Sequence, residues 1–142
     1  MTTSVPPSTI SSKKRFASLP KPILRELDAD LGPTFANSEQ RAFFYSRAPE
    51  VLYSGWMGAG KSRIICEKVW HLARWYPGAT FAIFRKVAAS IPATTERTFW
   101  RDVADRSAIV ARNKSESWVE VSPIGGGEPS RIYFMGLDPD PI

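Results

Sequence analysis

"GWMGAGKS", residues 55–62, is the stretch that decides the expected fold of this sequence. Three glycines are spaced through it, and a lysine and a serine end it. The residues before it, "EVLYSG" (50–55), are apolar enough to predict a short buried strand, and those after it, "KSRIICEKVWHLARWY" (61–76), predict an amphipathic helix. A glycine-rich loop that joins a strand to a helix is typical of an α/β fold.

The spacing of this loop, Gly-x-x-x-x-Gly-Lys-Ser, is the one that phosphate binding requires. Glycines allow backbone angles and a close approach that side chains would block, so that successive amides and the start of the helix form a nest for an anion. The lysine reaches the outer phosphates, and the serine hydroxyl ligates Mg²⁺. The predicted nucleotide-binding residues are Gly55, Gly58, Ala59, Gly60, Lys61 and Ser62, with Lys61 also catalytic and Ser62 the metal ligand. A glycine-rich turn with a chance lysine is the alternative.

The pattern from residue 35 onward is α/β throughout. Besides the elements around the loop, helices are predicted at 37–47 and 93–104, and strands at 80–85, 117–121 and 131–136. The strand at 80–85, "TFAIFR", is nearly all apolar, as a strand covered on both faces would be. The last two strands predict a hairpin. We therefore expect a mainly parallel sheet between helices, the fold of a P-loop NTPase.

The helix predicted at 61–76 divides its residues between two faces. The apolar stripe and its neighbours consist of Ile65, Val69, Leu72 and Tyr76, with Cys66, Trp70 and Ala73 beside them. The opposite face, expected in solvent, consists of Arg63, Glu67, Lys68, His71 and Arg74. Cys66 and His71 are interpreted as packing or surface groups, because one cysteine and one histidine cannot make a zinc site.

Composition sets the class of protein. The chain has 142 residues, is 43% hydrophobic and carries a net charge of +5, which indicates one globular domain compatible with a polyanionic partner. Its single cysteine forms no internal disulfide, and no apolar run is long enough to predict a membrane span or a secretion signal. Residues 1–34 hold five of the twelve prolines and the basic "KKR" at 13–15, and predict a flexible tail. The domain is expected over 35–142.

Two residues outside the loop are further candidates. Gln40 precedes the loop by 15 residues at the start of a helix. In several nucleic-acid motor ATPases a glutamine so placed reads the adenine edge, since its amide offers both a donor and an acceptor. An ordinary capping role three residues after Asn37 is the alternative. Arg85 ends the strand at 80–85, and residues at that end of an open α/β sheet lie near the ligand crevice. We predict a catalytic role for Arg85, with an ordinary surface arginine as the alternative.

Taken in order, these segments resemble the large subunit of tailed-phage terminases, the motor that packages viral DNA. The resemblance covers roughly residues 34–141 and rests on three stretches: "FANSEQRAFF" (35–44), "VLYSGWMGAGKSRIICEKVWHLARWYPGATFAIFRK" (51–86) and "RIYFMGLDPDP" (131–141). In that family an apolar strand ending in arginine follows the loop helix, and a hairpin closing in Gly-Leu-Asp precedes an acidic strand. The ordered set is more specific than the loop alone.

The resemblance implies an ATP-binding part of the packaging motor, with ATP as fuel and Mg²⁺ as cofactor. It implies double-stranded DNA as the substrate that is moved, a portal protein and a small terminase subunit as partners, and a ring oligomer. The cytoplasm of a bacterial host is the implied location. A fragment of a helicase-like translocase, which shares the upstream glutamine and the loop, is the alternative from another family. A relic without activity is the third hypothesis.

Two departures from the family pattern matter. The variable part of the loop, "WMGA" (56–59), lacks the basic residue that many members carry there. The chain also stops at "GLDPDPI" (136–142), before the acidic strand and the nuclease domain, and neither Asp138 nor Asp140 is assigned catalysis. We therefore expect a truncated part that is inactive alone, in which the strand at 80–85 pairs with the hairpin as a small separate sheet.

Overall fold

The fold was derived from a computed structural model, which describes residue 33 and residues 35–138. Two compact units divide the chain, one ending at Ala59 and the other beginning at Gly60. The predicted tail, apart from Pro33, lies outside the described residues, as does Asp140.

The first unit contains one helix, α1 (Ser38–Tyr45). Asn37 caps it, because its side-chain oxygen accepts a hydrogen bond from the Gln40 amide at 2.9 Å. Phe44 is buried, and its ring lies 5.3 Å from that of Phe35. The predicted helix at this position is therefore confirmed, with a shorter extent than 37–47.

The second unit opens with helix α2 (Lys61–Trp75), which ends at the predicted Pro77–Gly78 stop. Gly78 has a φ of 68°, and its amide donates to the Glu128 carbonyl at 2.8 Å. A Cβ at this position would lie 2.8 Å from a Glu128 carboxylate oxygen, so both backbone angle and space favour glycine. The hydrogen bond from Gly78 to Glu128 joins the turn after α2 to the loop that precedes the last strand.

A four-stranded sheet follows, with strands β1 (Thr80–Arg85), β2 (Ile109–Asn113), β3 (Trp118–Val121) and β4 (Ser130–Gly136). Their spatial order is β1-β4-β3-β2. β1 runs parallel to β4, whereas the β2–β3 and β3–β4 pairs are antiparallel. The expectation that the 80–85 strand pairs with the hairpin is confirmed.

A helical stretch at 92–103 crosses one face of the sheet together with α2. Its two ends, Pro92–Glu96 and Phe99–Val103, are wound as π-helix: the Ala104 amide donates to the Phe99 carbonyl five residues earlier, at 2.8 Å. Phe99 packs between α2 and the sheet. The core of this unit is made of Cys66, Trp70, Ala73, Ile83, Ile91, Phe99, Ala108, Val119, Val121, Ile132 and Phe134.

The prediction of a mainly parallel sheet is wrong. Among the described strands only the β1–β4 pair is parallel, and the sheet is mixed. The predicted strand at 50–55 does not form, and the Leu52 side chain there is 93% exposed. A strand is stabilised by hydrogen bonds to a neighbour and by packing on its faces, and an apolar run without either has no reason to stay extended and buried. Within the described residues, the sheet is therefore not the mainly parallel sheet expected of a P-loop NTPase fold.

Two predictions of burial are also wrong. On α2, Glu67 and His71 are buried although they were placed on the solvent face, whereas Ile65 of the predicted apolar stripe is exposed. Among the described residues, the strand at 80–85 is covered on one face only, since the Phe84 side chain on its outer face is 53% exposed. An antiparallel or mixed sheet with helices on one face leaves its other face open, and β1 follows that rule.

Candidate functional site

Helix α2 begins directly at the predicted phosphate-binding lysine. Gly60 is the residue before the first helical turn and adopts a left-handed conformation with a φ of 74°, which a residue with a side chain adopts only with strain. The Ile64 amide donates to the Gly60 carbonyl at 3.0 Å, which starts the helical hydrogen bonding. Lys61 and Ser62 therefore occupy the first two positions of a helix of 15 residues.

The electrostatics of this helix start favour an anion. Its first turn contains no acidic side chain, and the capping position is held by Gly60, which has no side chain that could accept from the first amides. The first amides of a helix lack acceptors within the helix and carry the positive end of its dipole. A phosphate group fits this donor set, with the Lys61 ammonium adding charge and the exposed Ser62 hydroxyl adding an oxygen.

The preceding part of the loop belongs to the first unit. Gly58 has a φ of 85°, a left-handed angle that favours glycine, and a Cβ on Gly55 would lie 3.3 Å from that of Ala59, a tight contact. The Ala59 amide donates to the Trp56 carbonyl at 3.1 Å. That amide is engaged in a turn, so it reaches a phosphate only if the turn opens.

Within the first unit, the Gln40 side chain contacts the end of the glycine loop. Its side chain is 2% exposed, and its Nε2 donates to the Ala59 carbonyl at 3.0 Å while its Oε1 accepts from the Ala36 amide at 2.9 Å. The amide thus connects the start of α1 to the end of the glycine loop. Reading an adenine edge as well would use its second hydrogen and second lone pair.

Replacing Gln40 with alanine is expected to lower the free energy of unfolding by about 1–3 kcal/mol, because the Ala59 carbonyl and the Ala36 amide lose their buried partner. Chemical denaturation followed by circular dichroism measures this loss. The matched control is Glu39→Ala, one position earlier on the exposed side of α1. If the two variants unfold alike, Gln40 does not hold the loop.

Arg85 is the last residue of β1, as predicted, and is half-buried. Its guanidinium donates to the hydroxyls of Thr94 and Thr95, the latter at 3.5 Å. These threonines lie on the 92–103 stretch, so Arg85 ties that stretch to the end of the strand. Sequence reasoning missed both partners, because no spacing in "RKVAASIPATT" (85–95) signals them. Whether Arg85 also acts in catalysis stays a prediction.

Metal binding depends on few donors here. Among the described residues, no group of three or more His, Cys, Asp and Glu side chains is arranged to hold a metal ion. The Ser62 hydroxyl contributes a single oxygen, so Mg²⁺ would reach this site with the phosphate oxygens and water as its other ligands. Cys66 offers no thiolate, since burial raises the pKa of its thiol to about 12.

Comparison with protein-family models, with curated proteins and with solved structures gave no match in any of the three. The resemblance to terminases therefore stands on the three quoted stretches alone. In the described part of the chain, no helix has both the length and the apolar character that crossing a bilayer requires.

Proposed function

We propose that this chain binds ATP at residues 55–62 and is the ATP-binding part of a terminase large subunit. The single observation that carries the proposal is the start of α2: a left-handed Gly60 leads straight into a long helix whose first residues are Lys61 and Ser62 and whose first turn has no acid. This donor set accepts the triphosphate of a nucleotide.

In this proposal each residue has a defined task. The Lys61 ammonium pairs with the outer phosphates, the Ser62 hydroxyl takes one position on Mg²⁺, and Gln40 supports the loop through Ala59. Bound Mg²⁺ supplies charge neutralisation of the phosphates. The proposal concerns binding; for the described residues we assign no carboxylate to the metal or to an attacking water.

The biological setting comes from the resemblance. Double-stranded DNA is the proposed substrate of the intact motor, and a portal protein and a small terminase subunit are its proposed partners. The proposed location is the cytoplasm of a bacterial host. The net charge of +5 is compatible with a polyanionic partner.

Replacing Lys61 with alanine is expected to weaken binding of Mg·ATP about 10- to 100-fold, because charge-assisted hydrogen bonds to the phosphates are lost. Isothermal titration calorimetry of the full chain with Mg·ATP measures the dissociation constant. Lys114→Ala, an exposed lysine on the β2–β3 turn, is the matched control for loss of one positive charge. ATP affinity that is the same in both variants and the parent, or no binding by the parent, would contradict the proposal.

A further inference from the structure

An open cavity of about 480 Å³ lies in the second unit and is lined by Trp100, Arg106, Ile109 and Arg112. Its volume is in the range of ligand sites in proteins. Two guanidinium groups, an indole and one aliphatic side chain make its wall. This combination of cations and a flat apolar surface suits a ligand that joins an anionic group to a flat ring.

One part of the wall is held rigidly in place. The Arg112 guanidinium lies over the Trp100 ring, 4.3 Å from its centroid, in cation–π geometry. The same Glu96 oxygen accepts from Arg112 at 2.6 Å and from the Trp100 indole nitrogen at 3.3 Å. Since one carboxylate fixes both groups, Trp100 and Arg112 form a stacked layer that exists before any ligand binds.

The other cation is available. Arg106 is exposed on the short 3₁₀ turn Arg106–Ala108, and no hydrogen bond or ion pair of its side chain occurs within the described residues. The neighbouring Asp105 is engaged instead with Ser107, whose amide and hydroxyl it accepts at 2.9 Å and 2.8 Å. The Glu96 carboxylate neutralises the charge of Arg112. The wall of the cavity is therefore left with one net positive charge, that of Arg106.

We propose that this cavity binds a nucleotide unit of single-stranded nucleic acid. The base stacks on the Trp100–Arg112 layer and against Ile109, and the phosphate pairs with Arg106; aromatic rings and arginine planes are the surfaces on which unpaired bases stack. A duplex does not fit, because its bases are stacked within the helix. A strand is favoured over a free nucleotide because the cavity is open and both arginines are exposed, so neighbouring nucleotides continue along the surface.

The test is fluorescence anisotropy of the full chain with a labelled thymidine 20-mer, without ATP, so that the result is independent of the proposed ATP site. Arg106→Ala is expected to weaken binding on the order of tenfold and to lower the slope of log affinity against log salt by about 0.7, the change for one phosphate contact to a single strand. Arg101→Ala is the matched control, since Arg101 is exposed, pairs with Asp102 at 2.6 Å and does not line the cavity.

Trp100→Ala is expected to weaken binding by about 5- to 100-fold through lost stacking, whereas Trp100→Phe keeps most of the affinity. Thermal unfolding of each variant identifies a folding defect, and the exposed Arg106 provides the test that does not disturb the core. Equal affinity of Arg106→Ala and Arg101→Ala for the strand would overturn the proposal. Binding of a duplex as tightly as the strand, or of thymidine monophosphate as tightly as the 20-mer, would overturn it as well.

Discussion

Replacing Phe99 with alanine is expected to lower the free energy of unfolding by about 3–5 kcal/mol, the range found for large aromatic residues in well-packed cores. Phe99 is 0% exposed, and its ring lies 5.7 Å from that of Trp70, 5.3 Å from Trp100 and 5.2 Å from Phe134. It therefore joins α2, the 92–103 stretch and β4 at one point. Its loss leaves a cavity that none of these three elements fills without shifting.

Urea denaturation followed by tryptophan fluorescence and circular dichroism measures the effect. Phe84→Ala is the matched control, because the same atoms are removed from the exposed outer face of β1. We expect that control to cost less than about 1 kcal/mol, as surface substitutions do. Domains are stable by about 5–15 kcal/mol, so the free energy lost in Phe99→Ala is a large fraction of the total. If the alanine variant does not fold, the smaller change Phe99→Leu can be measured in its place. Equal costs at positions 99 and 84 would show that the core is not organised around Phe99.

The elements that the sequence predicts well are those in which apolar residues recur at a clear period and a clear turn signal marks where the element ends. Helix α2 has both, because apolar residues recur along it and Pro77–Gly78 stops it. β3 and β4 are separated by the glycine-rich "IGGGEP" (124–129), which is an unambiguous turn. These signals are local, and local signals are sufficient for single elements and hairpins.

The parts that could not be predicted depend on distant partners. The apolar run at 50–55 has the composition of a strand, but no strand among the described residues pairs with it. β2 was missed because its residues, Ile109–Asn113, include charged and amide side chains, and its turn at 114–117 has no glycine; Ser117 adopts the positive φ there, 52°. β2 also carries an irregularity between Ile109 and Ala111 in its pairing with β3, which no feature of the sequence indicates.

In the candidate site too, the features set by local sequence were predictable and those set by distant contacts were not. The motif predicted that a helix begins at Lys61 with glycine before it, because spacing and residue type are sufficient for that. The bond from Gln40 to the Ala59 carbonyl spans 19 positions, and those of Arg85 to Thr94 and Thr95 depend on how 92–103 is wound. The burial of Glu67 was not predictable either, because a charged residue in the polar stripe of a helix is normally exposed.

Glu67 makes the stability of the chain depend on pH. Burial raises the pKa of its carboxyl group from 4.5 to about 7, and the Arg63 guanidinium, 3.9 Å away, only partly opposes this. Between these two values the folded chain keeps a proton that the unfolded chain has released. Stability therefore falls as pH rises through this window; the penalty is absent below pH 4.5 and complete above about 7.

Glu67→Gln is expected to remove this dependence, because glutamine has the same shape and no charge to bury. From the change in pKa, the variant should be more stable than the parent by up to about 3 kcal/mol at pH 8 and by close to nothing at pH 4.5. Urea denaturation at a series of pH values between 4 and 9 measures both curves. The exposed Glu50→Gln variant controls for the loss of one negative charge. Parallel stability curves for Glu67→Gln and the parent would mean that the Glu67 carboxylate is solvated in the folded chain and that the polar side of α2 faces water there.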